Sequence, residues 1–94
     1  MDSEQREKVV RRLKSIEGHI RGIERMVEED TYCIDVLKQT HAVQKAMDRV
    51  NSMIMQNHLQ HCVITAIQGD DAAQRQKVIG EIVEVFDMSN KVGS

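Results

Sequence analysis

Between Asp30 and Gln68 the chain contains neither proline nor glycine, and this stretch holds both cysteines of the protein. An uninterrupted run of this kind predicts one helix over about residues 31–68, roughly 57 Å long at about 1.5 Å per residue. Cys33 and His58 lie 25 residues apart within it. That separation is roughly 37 Å along a straight helix, yet it returns the two side chains to within roughly 20° of the same face. His58 and Cys62 stand four residues apart, one turn along that face. A single helix therefore cannot bring Cys33 to the other two. Two copies packed antiparallel about a twofold axis can, with the pairing centre beside Met47, and the symmetry then generates two equal sites per dimer.

The rest of the chain is organised around this helix. Asp2 followed by Gln5 has the form of a capping box and opens a first helix over about residues 3–28. Its apolar residues Val9, Leu13, Ile16, Ile20, Ile23 and Val27 recur in alternating steps of four and three, the spacing of a coiled-coil seam. Gly18 and Gly22 either admit a neighbouring backbone or simply weaken the helix. Asp30 or Thr31 is placed to cap the second helix, across a connection short enough to predict an antiparallel hairpin. The second helix repeats the alternation at Val36, Thr40, Val43, Met47, Val50, Ile54, Asn57, His61 and Ile64, and carries a looser stripe that includes Leu37, Ala46 and Met53. Two apolar faces on one helix imply two partners, the first helix and something else.

Gly69 reads as the end of the long helix, and Asp71 with Gln74 opens a third over about residues 72–88. Val78, Ile79, Ile82, Val83 and Phe86 give that third helix one apolar face, and residues 89–94 read as a frayed tail. The expected fold is all-α: a single domain over residues 1–94, with a three-helix protomer made of a long antiparallel hairpin and a short third helix. A chain of 94 residues with 2% aromatic content buries a thin core on its own, so association is expected. The first residues lack the apolar segment of a secretory signal, and no run approaches the ~18 apolar residues of a membrane span. A soluble protein of the cytoplasm is expected, without membrane partners. In that reducing compartment two thiols on one helix are better read as ligands or redox sensors than as a disulfide.

Cys33, His58 and Cys62 offer two thiolates and one imidazole. Soft sulfur ligands favour Cu(I), and three donors suit its trigonal geometry, while Zn(II) completed by a water or a carboxylate competes on chemistry alone. Tyr32 adjoins Cys33 and is placed to hydrogen-bond near it. A carboxylate of the third helix, from Glu81, Glu84 or Asp87, is placed to orient the imidazole of His58. His61 lies off this face and reads as a packed or solvated histidine. His19 and His41 read as solvated, and Met47, Met53 and Met55 as core filler. No nucleophile triad, phosphate-binding loop or paired-carboxylate motif is visible, so no enzyme is expected.

The net charge is −2, but the charge is uneven. Arg6, Lys8, Arg11, Arg12 and Lys14 face a single acid, Glu7, between residues 6 and 14. The bland reading is a solvated helix face. In an oligomer the patch is repeated, and Lys45 and Arg49 extend it into a surface able to contact phosphates. No helix-turn-helix or zinc finger accompanies it, so composition alone does not establish DNA binding.

Three segments carry a resemblance. Arg-Leu-Lys-Ser-Ile-Glu-Gly-His-Ile-Arg-Gly-Ile (12–23), Asp-Thr-Tyr-Cys-Ile-Asp (30–35) and Asn-His-Leu-Gln-His-Cys (57–62) resemble the CsoR/RcnR family of metal-sensing repressors, its copper sensors in particular. The likeness runs from residue 5 to about residue 87. It implies a disc-shaped, all-helical tetramer, a dimer of antiparallel dimers, that binds operator DNA when metal-free and lets go on binding Cu(I). It assigns the metal ligands to Cys33, His58 and Cys62, the tyrosine and glutamate that support them to Tyr32 and Glu81, and DNA-contacting arginines to Arg12 and Arg49. The family's nickel and cobalt sensors add an N-terminal ligand, and no His or Cys precedes His19 here. Its formaldehyde sensors lack the second cysteine, and its persulfide sensors lack the histidine, so His58 argues for copper. A thiol-based persulfide or sulfur sensor, or a zinc-binding helical module of the same fold, is the alternative.

Overall fold

The computed structural model describes residues 1–92, with the backbone alone described at Cys62 and over residues 89–92. The described residues form helices α1 (Ser3–Glu28) and α2 (Cys33–His58), a π-helical turn (Leu59–Val63), and helices α3 (Ile64–Gln68) and α4 (Ala72–Val92). The chain divides into two compact units, the first ending at Gln56 and the second starting at Asn57.

Asp2 opens α1 as its sequence position predicts, its Oδ1 accepting the Gln5 N–H at 2.8 Å. This satisfies one of the four N–H groups that a helix start leaves unpaired. At the other end neither Asp30 nor Thr31 caps α2. Asp30 instead takes a left-handed conformation, with φ 55, and the Thr31 N–H bonds back to Met26 O at 2.9 Å. The chain thereby reverses within four residues, and α2 starts at Cys33, two residues later than expected. An Asp tolerates this backbone better than most residues because its short polar side chain can bond locally.

The first unit is the antiparallel hairpin. Val9, Ile16 and Val50 form its buried cluster, with Val43, Ala46 and Met53 packed against it. Val50 is 2% exposed, a burial that contributes roughly 1.5–3 kcal/mol. The expected seams need correction on both helices. On α1 every seventh residue, Val9 and Ile16, turns inward, while Leu13, Ile20 and Val27 stay exposed. On α2 the residues facing α1 are Val43, Ala46, Val50 and Met53. Met47 and Ile54, expected on that seam, are exposed. Val43 and Val50 come from the expected seam, and Ala46 and Met53 from the looser stripe one residue to its side, so the face packed against α1 lies between the two. One polar link ties the pair, with His19 Nε2 and Gln39 Oε1 2.7 Å apart.

In the second unit Val63 and Val78 are buried, and α4 lies against both α3 and the π turn. Gly69 ends α3 in an extended conformation, φ −78 and ψ 172, rather than in the left-handed one typical after a helix. Its carbonyl accepts from Arg75 Nη1 at 2.6 Å. Asp71 Oδ1 takes the Gln74 N–H at 3.1 Å and starts α4. That helix continues to Val92, past the expected end at 88, because no glycine or proline intervenes before Gly93. Gly93 and Ser94, part of the expected tail, lie outside the described residues.

Candidate metal and nucleic-acid surfaces

The hairpin positions the basic residues. Antiparallel pairing sets the N-terminal half of α1 beside the C-terminal half of α2, and a groove of about 590 Å³ between them is lined by Lys8, Arg11, Arg12 and Arg49 together with Gln5, Ser15, Met53 and Gln56. Arg12 and Arg49, 37 residues apart in the chain, thus share one surface. Lys14 and Lys45 are exposed but do not line it. Lys8 lies 3.8 Å from Glu4 in an exposed pair that is worth little in water. Gln5, Ser15 and Gln56 are groove residues that the charge pattern did not single out. Their signal was helical spacing, since Ser15 follows Arg11 by four and Gln56 follows Arg49 by seven.

The thiol and imidazole residues belong to the two units. Cys33 is the first residue of α2 and is an exposed free thiol, and Tyr32 before it is 69% exposed. His58 ends α2 and is half-buried. The side chain of Cys62 lies outside the described residues, while its backbone belongs to the π turn. Glu81 is exposed on α4. Among the described residues no three His, Cys, Asp or Glu side chains of one chain converge as a metal site would require.

The π turn revises the local geometry expected for His58 and Cys62. The Ile64 N–H bonds to Leu59 O, a five-residue step in place of the α-helical four. The Thr65 hydroxyl donates to His61 O at 2.7 Å, a side-chain bond to a carbonyl within the wider turn. Such single π turns inside longer helices recur at functional sites, because they re-aim the residues they contain.

Comparisons with known proteins place the chain among regulators. The family model for metal-sensitive transcriptional repressors matches residues 5–88. The copper-sensing transcriptional repressor CsoR of Bacillus subtilis (strain 168) is 44% identical over 84 residues, covering 89% of this chain and 80% of the relative. CsoR of Mycobacterium tuberculosis (strain H37Rv) is 50% identical over 56 residues, which span 60% of this chain but only 47% of that longer protein. The crystal structure of the copper-sensing repressor CsoR with Cu(I) from Geobacillus thermodenitrificans NG80-2 superposes with a TM-score of 0.86 at 34% identity, covering 96% of this chain and 91% of that one. The nickel-responsive regulator InrS superposes at 0.73 with 39% identity, over 85% and 90% of the two chains. The fold is thus shared by regulators that answer to different metals. Metal identity has to be argued from the donor atoms.

Proposed function

The chain belongs to the metal-sensitive transcriptional repressor family, and on that premise we propose that it represses transcription by holding operator DNA when metal-free and releases it on binding Cu(I). The observation that carries this reading is the groove that joins Arg12 and Arg49, with Lys8 and Arg11, along the same helix that starts at Cys33 and ends at His58. Guanidinium and ammonium groups in one groove neutralise phosphates and release counterions, the main source of sequence-independent DNA affinity. Lys14 and Lys45 extend the positive surface beyond the groove.

Cys33, His58 and Cys62 hold the metal, with Cys33 supplied by a second protomer. The donor set fits Cu(I): two thiolates and one imidazole are soft and number three, whereas Ni(II) favours nitrogen and oxygen donors in a square-planar site and structural Zn(II) a closed set of four. Tyr32, beside the first thiolate, and Glu81, on the helix that lies against the π turn, orient the ligands, Glu81 through the imidazole nitrogen that does not face the metal. The protein acts in the cytoplasm, where operator DNA is, as a dimer of antiparallel dimers. Leu13, Ile20, Val27, Leu37, Met47 and Ile54 on the hairpin, and Val83 and Phe86 on α4, are exposed apolar residues that such an assembly covers. Copper releases DNA only by favouring the arrangement that binds DNA less well, so DNA must weaken copper binding by the same factor.

The test is an anaerobic Cu(I) competition titration beside operator binding followed by fluorescence anisotropy. One tightly held Cu(I) per protomer and loss of operator affinity on loading are expected, with both abolished in Cys33→Ser. Release by Ni(II) or Zn(II) but not by Cu(I), or copper-driven release that survives His58→Ala, would refute the reading.

A further inference from the structure

Asn57 is 6% exposed and is the buried polar side chain among the described residues. Within the chain its carboxamide oxygen meets no hydrogen-bond donor, and less than 1 Å² of that oxygen is accessible. An acceptor left in this way weighs against the present conformation by roughly 5- to 150-fold relative to one that provides a donor. Asparagine is also a poor resident of a helix interior and among the best residues at a helix N-cap, where its side-chain oxygen takes an N–H two or three residues ahead.

The position in the chain gives this misfit a meaning. Gln56, the residue before, lines the basic groove, and His58, the residue after, ends α2. The division between the two compact units falls between Gln56 and Asn57. The backbone leaves the α-helical pattern just beyond, at Leu59–Val63. An unsatisfied acceptor, a junction between compact units and a departure from α geometry thus coincide within a few residues.

We propose that Asn57 is a latent N-cap: in the metal-free state the long helix opens at this residue, and Oδ1 then accepts the N–H of Leu59 or Gln60. In that state Asn57 separates the groove segment from His58 and the π turn that contains Cys62, so that a change at one is passed to the other. It is a positioning residue, since it is assigned no contact with metal or DNA. The role in signalling rests on the copper-responsive reading above, whereas the helix break itself does not.

Capping and packing make opposite demands on a replacement. A cap needs a short side chain bearing oxygen and is met by Ser, while a buried packing position is better filled by Leu, which branches at the same carbon as Asn but is apolar. In metal-free protein the backbone amides of Leu59–Val63 should exchange with deuterium ~10-fold more slowly in Asn57→Leu than in wild type, and within ~3-fold of wild type in Asn57→Ser, the scale of one N-cap. The ratio of operator affinities without and with Cu(I) should fall ~10-fold in Asn57→Leu and be largely kept in Asn57→Ser. Equal exchange in the Leu and Ser variants, or an unchanged affinity ratio in Asn57→Leu, would overturn the proposal. If wild type itself shows no copper-dependent release, the functional reading fails, and the exchange measurement still decides whether Asn57 caps a broken helix.

Discussion

Replacing Arg12 and Arg49 together with glutamine tests whether the hairpin groove is the DNA surface, and salt dependence makes the test quantitative. The groove holds four cationic side chains, Lys8, Arg11, Arg12 and Arg49. If each neutralises one phosphate, each contributes about −0.9 to the slope of log affinity against log salt. Raising salt from about 50 to about 200 mM then weakens binding by about 3.5-fold per contact, hence ~150-fold for four contacts and only ~12-fold for the two that remain. The slope should become shallower by about 1.8 per hairpin engaged. Both residues are exposed, so the fold should tolerate the change within about 0.5 kcal/mol. The assay is anisotropy of a labelled operator across a salt series, with a urea melt confirming stability. A double variant that binds more weakly at every salt concentration but keeps the wild-type slope would show that the arginines act on the protein rather than on phosphates. An unchanged affinity would remove the groove from the DNA surface altogether.

Further expectations concern the scaffold. Val50→Ala should cost about 2 kcal/mol in chemical denaturation, because it deletes two buried methyl groups and leaves a cavity in the hairpin core. Val27→Ser, at a residue 59% exposed, should leave the stability of the hairpin core nearly unchanged but weaken association in sedimentation velocity if the open α1 stripe is an interface. Asp30→Val should destabilise by about 1 kcal/mol or more, since a β-branched residue is a poor occupant of φ 55, whereas Asp30→Gly should be neutral to mildly stabilising in a thermal melt.

Much of the architecture was legible in the sequence, for identifiable reasons. The absence of breakers between Asp30 and Gln68, the caps Asp2 and Asp71, and the four-and-three spacing specify helices and a hairpin from local chemistry alone. What local chemistry leaves open depends on a neighbour. The seam of α2 is ambiguous between two stripes until α1 chooses Val43, Ala46, Val50 and Met53. The π turn has no local sequence signature of the kind that Gly or Pro provides, so the four-residue spacing of His58 and Cys62 predicts plain α-helix there. The basic patch was visible as composition, but its joining of Arg12 to Arg49 is a consequence of antiparallel pairing. Asn57 was assigned to a seam, and only its lack of a donor marks it as more than packing.

The thinness of the core bears on how small the signal in such a regulator can be. Among the described residues five apolar side chains are buried, Val9, Ile16, Val50, Val63 and Val78, in a chain that is 40% hydrophobic, which leaves much apolar surface for the proposed contacts between protomers. In the proposed assembly, a metal held by ligands from two chains acts on the contact between them rather than on the interior of either chain. Switching a two-state assembly from mostly bound to mostly free takes about 5.5 kcal/mol of differential binding. Shared over the four sites of the proposed tetramer, that is about 1.4 kcal/mol per site. This lies within the reach of a single helix cap, worth about 0.5–2 kcal/mol. In the proposed tetramer, a small change at the end of α2, repeated at each site and passed along the same helix to Gln56 and Arg49, is therefore sufficient in size to release DNA without any refolding of the hairpin.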